Sequence, residues 1–446
     1  MKKLNILLIS LFCIFATSCD DFLDIKPVGK VIPTTEQDFR DVLTNAYKSV
    51  PQDRSKTAVR GDELMLKYSA WSESYRIYVN QFTWQDEVRP VTDMQFPWQG
   101  FYSAILGANQ VIIDGAYATE SNDETLDQLL GEAYLMRAYM HFGLANLYSD
   151  VYSADNLDAK SIPLSTSIDI WQDFTRNTIG EVYTQVIEDL NKAIELLNID
   201  EQSKGLNYRF SKISAYGFAA RVYLYMGEFD KCSEFAKKAL LINSSLEDLN
   251  SADAVLPVDF TSKENVLAME QTYDKDFKFE FYISSKLENL YDKVNDLRFA
   301  KFFDGSSAGE YKCVLGNDNK NKVSMRIAEF YLDVAEAQAK SPKGDLTEAK
   351  KYLKDLLVTR FTPAYYATQA AAIDAMSKEQ FIAKLAEERM KELACQGFRW
   401  FDLRRNGKPE LKKTFDGKDY TLLENDPRYV IPFPIEAVVN NPNLKD

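Results

Sequence analysis

The sequence predicts a mainly α-helical protein in which paired helices pack against an irregular, loop-rich half. Two observations indicate this fold class. Apolar residues return at three- and four-residue intervals within residues 120–240 and 325–405, as on the buried face of a helix. Residues 51–97 and about 243–324 instead carry proline, glycine, scattered charge and clustered aromatic residues without a helical period. With 446 residues, the chain exceeds what one hydrophobic core usually serves, so two packed halves or a repeat array is expected.

The first residues have the order of an export signal. Lys2 and Lys3 precede an apolar run, three small residues follow it, and Cys19 comes next. The run is shorter than the ~20 residues that a membrane-spanning helix needs, so residues 1–18 are interpreted as a cleaved signal peptide. Cys19 at this position can carry lipid, such as palmitate, as in bacterial lipoproteins. The alternative is ordinary secretion with Cys19 unmodified.

The chain after the signal begins with a tether and a capped helix. Residues 19–33 are predicted to form an extended tether that leads to the body of the protein, residues 34–446. Thr35 and Asp38 have the spacing of a capping box, and apolar residues follow them at helical intervals. A second helix is predicted over residues 98–113.

A helical repeat follows. Residues 215–241 have the pattern of a tetratricopeptide unit, a hairpin of two antiparallel helices. Ala219 and Ala220 let the helices approach closely, and Gly227 makes the turn between them. One hairpin cannot bury its own apolar faces, so about four units are expected. The others are assigned to residues 129–148 with 181–197 across an insertion at 151–177, to residues 326–357, and to a half unit at 377–395.

Composition argues against several classes of function. The formal net charge of −14 repels nucleic acid and anionic lipid headgroups. The cysteines beyond Cys19 are odd in number and widely spaced, so no disulfide framework or zinc motif is visible. The only histidine, His141, lies in an apolar helical segment without a nucleophile motif. We therefore predict a binding protein, not an enzyme, without cofactor or metal. Paired carboxylates for glycoside hydrolysis stay an alternative, and residues 317–319 are interpreted as a solvated turn in preference to a calcium site.

Aromatic residues in the irregular segments are the candidate ligand contacts. Sugar rings have apolar faces that stack on flat side chains, while amides and charged groups bind their hydroxyls. The first group of candidates is Trp71, Tyr75, Tyr78, Asn80 and Trp84, and the second is Tyr273 and Tyr282. Between the last two, phenylalanines alternate with charged residues, which favours a short strand. The alternative for every ring is packing within the irregular half.

Several ordered motifs resemble the SusD/RagB lipoproteins of Bacteroidota. They are CDDFLDIKP near the tether, PWQGFYSAILGANQVI, EAYLMRAYMHFGLANLY, MRIAEFYLDVAEAQA and, most specific, EERMKELACQGFRWFDLRRNG at residues 387–407. The resemblance implies four tetratricopeptide-like units packed on a ligand-binding half. It also implies a surface-exposed outer-membrane lipoprotein that captures oligosaccharides, or peptides in some branches, for a SusC-type TonB-dependent transporter. A scaffold that uses the repeats only to hold other proteins is the remaining alternative.

The most specific motif is interpreted as structural. Its charged residues are Arg399, Asp402, Arg404 and Arg405, and the preceding helix supplies Glu387, Glu388 and Glu392. A dense network of arginine and acid can lock a chain terminus onto a repeat scaffold. We expect Arg399 and Arg404 to meet carboxylates inside the fold, and we interpret Glu132 and Arg137 on a repeat helix in the same way.

Overall fold

A computed structural model of the protein describes residues 32–52, 54–68, 73–86, 92–172, 174–305 and 309–445. In these residues it has sixteen α-helices and eight strands of two to five residues, so helix greatly exceeds strand, as predicted. The helices are α1 (Glu36–Ser49), α2 (Arg76–Phe82), α3 (Gln99–Ile113), α4 (Asp123–Tyr148), α5 (Ile179–Leu196), α6 (Lys212–Met226), α7 (Phe229–Ile242), α8 (Phe277–Glu280), α9 (Ser285–Glu288), α10 (Leu297–Phe302), α11 (Ile327–Lys340), α12 (Leu346–Leu357), α13 (Pro363–Ala375), α14 (Lys378–Glu392), α15 (Arg399–Arg405) and α16 (Ile435–Asn440). The strands are β1 (Leu64–Leu66), β2 (Asn265–Leu267), β3 (Phe281–Ile283), β4 (Phe303–Gly305), β5 (Tyr311–Cys313), β6 (Met325–Arg326), β7 (Leu411–Phe415) and β8 (Lys418–Leu422). None of the helices in these ranges is long and apolar enough to span a bilayer.

The predicted repeat helices are present and pack in succession. α1 packs on α3, α3 on α4, α4 on α5, α6 on α7, and α11 on both α7 and α12. The half unit predicted near residue 377 is α14, which packs on α11 and α12. The protein is thus a tetratricopeptide-like helical repeat packed against an irregular half.

Local sequence signals set the helix ends and spacing. The capping box at α1 is confirmed, because the Thr35 hydroxyl accepts the Asp38 N–H at 3.2 Å and Asp38 accepts the Thr35 N–H at 3.0 Å. Gly227 ends α6 with a φ of 75°, a left-handed conformation that suits glycine. Gly217 faces α11, where a Cβ atom would lie 2.2 Å from the Phe330 ring, so only glycine permits this close approach.

The irregular half contains more local structure than predicted. Residues 51–97 include a 3₁₀ turn at Arg54–Val59, strand β1 and helix α2. The strand predicted from the alternating phenylalanines is partly wrong, because Phe277–Glu280 form one helical turn and β3 begins only at Phe281. Within the described ranges the strands form four separate antiparallel pairs, β1 with β3, β2 with β6, β4 with β5 and β7 with β8.

A buried ionic network fixes α14 to the irregular half. Glu392 accepts hydrogen bonds from Arg326 at 2.7 Å, Arg360 at 2.9 Å and Arg298 at 3.0 Å. All four side chains are at most 1% exposed. Glu388 on the same helix also accepts from Arg298, at 2.7 Å. Buried charges are tolerated only when paired in this way, so the structural interpretation is confirmed for Glu388 and Glu392. Glu387 is 52% exposed and lies outside the buried network.

The predicted contacts of the C-terminal arginines are half confirmed. Arg399 binds both carboxylate oxygens of Asp62, at 2.8 and 2.9 Å. The prediction for Arg404 is wrong, because its guanidinium donates to the backbone carbonyls of Asn146 and Ser149. These carbonyls lie at the C-terminal end of α4, where a helix leaves acceptors unpaired. Burial lowers the pKa of Arg404 to about 10.

The charged pair on α4 also has a structural role. Glu132 pairs with Arg40 at 2.8 Å and with Arg209 at 2.7 Å. Arg137 pairs with Asp189 at 2.6 Å. These contacts join α4 to α1, to the segment before α6 and to α5.

The C-terminal quarter of the chain reaches back to the first third. Lys413 on β7 donates to the carbonyl of Val59 at 2.6 Å, although the two residues are 354 positions apart. Arg428 donates to the carbonyl of Trp84 at 3.3 Å, and the Ile431 N–H donates to the carbonyl of Leu147 at 3.2 Å. The last segment therefore closes both halves of the fold.

Candidate functional site

Two of the predicted ligand contacts, Tyr75 and Tyr78, lie beneath the surface. Each is 6% exposed. The Tyr78 ring meets Phe277 and Phe281 edge to face, with centroids 5.4 and 5.2 Å apart. The helical period of α2 turns Tyr78 and Phe82 to the core and leaves Ile77 and Asn80 on the outer side.

Trp84 and Tyr273 are buried more deeply. Trp84 is 0% exposed, donates from Nε1 to the Arg60 carbonyl at 3.0 Å, and packs 4.5 Å from the Lys413 amine. Tyr273 is 1% exposed and packs against Phe277. A ligand cannot stack on a ring that the core covers. These two rings and those of Tyr75 and Tyr78 are therefore assigned to packing within the irregular half, which was the alternative interpretation of the sequence. Trp71 and Cys19 lie outside the described residues.

Three aromatic side chains do face outward at the edge of the irregular half, and we call them the aromatic strip: Tyr68, Phe279 and Tyr282. Tyr68 is 54% exposed and Phe279 is 68% exposed. Tyr282 is half-buried and pairs in register with Met65 across β1 and β3. Side chains alternate across a strand pair, so the flanking residues of both strands enter the core while Met65 and Tyr282 share the outer face.

Lysines and backbone carbonyls surround the strip. The amines of Lys67 and Lys312 lie 4.8 and 4.5 Å from the centroid of the Tyr282 ring. Lys312 also donates to the carbonyl of Phe279 at 3.3 Å, and Lys67 pairs with Glu310. These contacts hold charged donors beside exposed rings, an arrangement that can bind a ligand with apolar faces and hydroxyl groups.

Asn80 is the predicted polar contact that stays accessible. It is half-buried on the outer side of α2, and its Nδ2 donates to Asp93 at 2.7 Å. This bond fixes the orientation of the amide. The Oδ1 atom accepts no hydrogen bond from another described residue and can therefore accept one from a ligand.

Tyr68 and Phe279 are outward-facing rings that are not among the contacts predicted from the sequence. The alternating pattern placed Phe279 on the same face as Phe277 and Phe281, but the helical turn of α8 rotates it into solvent. Tyr68 lies just after β1 and shortly before the first group of candidate residues in the sequence. Its ring lies near that of Tyr75, with centroids 5.6 Å apart, and the short sequence distance between the two residues could have indicated Tyr68 as a candidate.

Three groups with strongly shifted pKa values lie in the interior: His141, Glu63 and Asp333. Burial lowers the pKa of His141 to about 3, and its Nε2 accepts the Ser165 N–H at 3.2 Å. Burial raises the pKa of Glu63 to about 8 and that of Asp333 to about 7. All three residues are 0% exposed, so a substrate has no direct access to their side chains. The part of the chain that the structure describes holds no cluster of His, Cys, Asp and Glu suited to a metal ion.

Comparison with known proteins gives consistent matches along the chain. A family model described as starch-binding and associating with the outer membrane, SusD-like_3, matches residues 21–224, and the SusD family model matches residues 292–446. SusD-like protein P2 of Formosa agariphila is 24% identical, over all of this chain and 99% of its own length. A crystal structure of a SusD superfamily protein from Bacteroides thetaiotaomicron has a TM-score of 0.75 at 21% identity, covering 92% of this chain and 99% of that one. A laminarin-binding SusD-like protein has a TM-score of 0.62 at 17% identity, covering 84% of this chain and 92% of that one.

Proposed function

We propose, from the premise that this chain belongs to the SusD/RagB family, that it captures oligosaccharides at the aromatic strip and delivers them to a transporter. The observation that carries the proposal is the exposure of Tyr68 and Phe279 next to the half-buried Tyr282, whose ring lies beside two lysine amines. Flat exposed rings match the apolar faces of sugars, and the amines and Asn80 can bind their hydroxyls.

The proposed location follows from the family and the N-terminal sequence. Membership of the family associates the chain with the outer membrane. We infer that lipid on Cys19 anchors it there, exposed at the cell surface. Its proposed partner is a SusC-type TonB-dependent transporter, to which it passes the ligand. The protein is proposed to be non-catalytic, since its buried histidine and buried shifted carboxyl groups offer no accessible acid–base pair.

A peptide is the second ligand class within the same uptake role. Alternating lysines and carboxylates around the strip, such as Lys67 with Glu310, can pair with charged peptide side chains. The aromatic rings favour sugar as the ligand, because flat rings match the apolar faces of sugar rings.

Calorimetry on the purified mature protein tests the proposal. Maltohexaose, laminarihexaose and short peptides of different charge are the probes. Phe279→Ala and Tyr282→Ala should each lose about 1–3 kcal/mol of oligosaccharide binding free energy, as truncation of a contact ring does. The melting temperature should stay nearly constant for Phe279→Ala, because this ring adds little to the core.

Tyr117→Ala is the matched control, since Tyr117 is 85% exposed on a 3₁₀ turn away from the strip. It should leave affinity unchanged. Binding of peptides alone would replace the oligosaccharide proposal by the peptide one. Release of reducing sugar by the purified protein, abolished by one carboxylate substitution, would contradict the non-catalytic role.

A further inference from the structure

A groove separate from the aromatic strip runs between α3, the insertion at residues 151–177 and α16. Its volume is about 530 Å³, within the roughly 300–1,000 Å³ typical of small-molecule sites. The three walls come from distant parts of the chain. The described residues that line it include Tyr102, Ser103, Gln172, Phe174, Glu436 and Asn440.

Buried hydrogen bonds hold the insertion in place, so the groove is preformed. Asn109 of α3 is 0% exposed and donates from Nδ2 to the carbonyls of Ser165 and Ser167, both at 3.0 Å. The Tyr102 hydroxyl donates to the carbonyl of Pro163 at 2.8 Å. On the opposite wall, Asn441 donates to the carbonyl of Phe174 at 2.8 Å. A preformed site binds without an additional ordering cost.

Aromatic rings form one side of the groove. Trp98 and Tyr102 have centroids 4.9 Å apart, and Tyr102 and Phe174 have centroids 6.4 Å apart. All three residues are only half-buried, so the described fold leaves part of their surface accessible. Nearby, Trp171 follows the lining residue Ile170 and is 88% exposed. An apolar ligand surface can pack on these rings.

Polar side chains converge from the two helices that flank the rings. Gln99 and Ser103 lie one turn apart on α3, and Glu436 and Asn440 lie one turn apart on α16. All four are exposed and make no side-chain hydrogen bond to another residue that the structure describes. Together they offer amide, hydroxyl and carboxylate groups, which match the alternating donors and acceptors of a saccharide.

The charge of the lining limits the ligand class. Its charged members in the described chain are both acids, Asp169 and Glu436, and neither lysine nor arginine is among them. A groove with this lining, in a protein of net charge −14, repels sulfated and uronic sugars. The hydroxyl groups of a neutral saccharide can donate hydrogen bonds to these carboxylates without charge repulsion.

We propose that this groove is a second saccharide site, specific for neutral sugars and independent of the aromatic strip. The inference rests on the proposed function, since it assigns a further contact region for the same ligand class. Two separate sites would let one molecule hold a long glycan at two points, which raises the overall affinity by effective concentration.

A substitution that fills the groove tests the second site. Ser103→Trp places a large ring between the aromatic wall and α16, and Ser103→Ala is the matched control with an open groove. The probes are maltohexaose and laminarihexaose, with oligogalacturonate as the anionic counterpart. By calorimetry we expect two saccharides per protein for the unaltered chain and for Ser103→Ala, one for Ser103→Trp, and no groove binding of oligogalacturonate.

The double variant Phe279→Ala/Tyr282→Ala separates this inference from the proposed function. It should lose binding at the strip and keep one saccharide in the groove. If Ser103→Trp fails to fold, Gln99→Ala/Asn440→Ala replaces it and should weaken groove binding about tenfold or more. Unchanged stoichiometry in a folded groove variant would overturn the second site while leaving the strip intact. Absence of binding by every probe would overturn both proposals.

Discussion

Phe279 and Phe281 lie two residues apart, yet one is 68% exposed and the other 1% exposed. The sequence shows that aromatic residues cluster in this segment, but it does not show which of the rings face outward. The direction of each side chain depends on where the helical turn ends and the strand begins. Here that boundary lies between the two phenylalanines. In α2, Tyr78 looked like a ligand contact because the segment had no clear period in the sequence. Only the short helix reveals that the ring points to the core.

A matched pair of ring truncations distinguishes packing from binding. Trp84→Ala should lower the free energy of unfolding by about 3–5 kcal/mol, because it empties a fully buried site. Phe279→Ala should change it by less than about 0.5 kcal/mol, as for an exposed residue. Urea unfolding followed by circular dichroism measures both values. Equal losses for the two variants would contradict the assignment of Trp84 to the core and Phe279 to the surface.

The ionic contacts of helix α14 were only partly predictable from its sequence. Its acids and the following arginines predict ionic contacts inside the fold, and Glu388, Glu392 and Arg399 make them. The partners of Glu392 could not be predicted, because Arg298, Arg326 and Arg360 come from separate segments that only the fold brings together. The sequence of α14 therefore predicts that its acids make buried ionic contacts, but it does not identify the arginines that they contact.

Neutralising the centre of this network should be costly. Burial acts to raise the pKa of Glu392, but Arg360, Arg326 and Arg298 hold it well below the ordinary value of 4.5. Glu392→Gln leaves buried guanidinium groups without their shared charge, so we expect a loss of about 3–5 kcal/mol in unfolding free energy near neutral pH. Glu387→Gln is the control on the same helix, where the side chain is 52% exposed.

The pH dependence of the Glu392 effect has a defined sign. A carboxyl group whose pKa is lowered by folding stabilises the protein above its unfolded pKa. The advantage of the unaltered chain over Glu392→Gln should therefore be complete above about pH 5 and should shrink as the pH falls below 4.5. Urea unfolding at several pH values measures this difference. A difference that stays constant down to pH 3 would contradict the proposed charge pairing.

At the scale of the whole molecule, the helical repeat and the family were predictable, while the groove was not. The repeat has a local signature, since each unit carries its own spacing. The groove is assembled from α3, an insertion without periodicity and a C-terminal helix, for example where Asn441 meets the carbonyl of Phe174 across 267 positions. A site made from such distant segments leaves no pattern in any one of them.

The proposed lipid anchor at Cys19 is tested by expressing the protein in a member of the Bacteroidota. Cys19→Ala removes the sulfur that the lipid needs, so the protein should be recovered soluble or unprocessed and not with the membrane. Fractionation followed by immunoblotting measures this, with Cys232→Ala, a buried cysteine of the repeat, as the control. In intact cells the unaltered protein should be open to added protease. An unchanged membrane fraction for Cys19→Ala would refute lipidation.

The return of the last segment to the first has a consequence for how the protein matures. The N-terminus of a chain is synthesised first, so Val59 and Trp84 emerge hundreds of residues before Lys413 and Arg428, their partners across 354 and 344 positions. The early segments therefore lack these contacts until almost the entire polypeptide has been made. Long-range closure of this kind makes folding slow and leaves apolar surface open in the interim. We therefore expect the incomplete chain to be prone to aggregation until residues 413–431 have been synthesised.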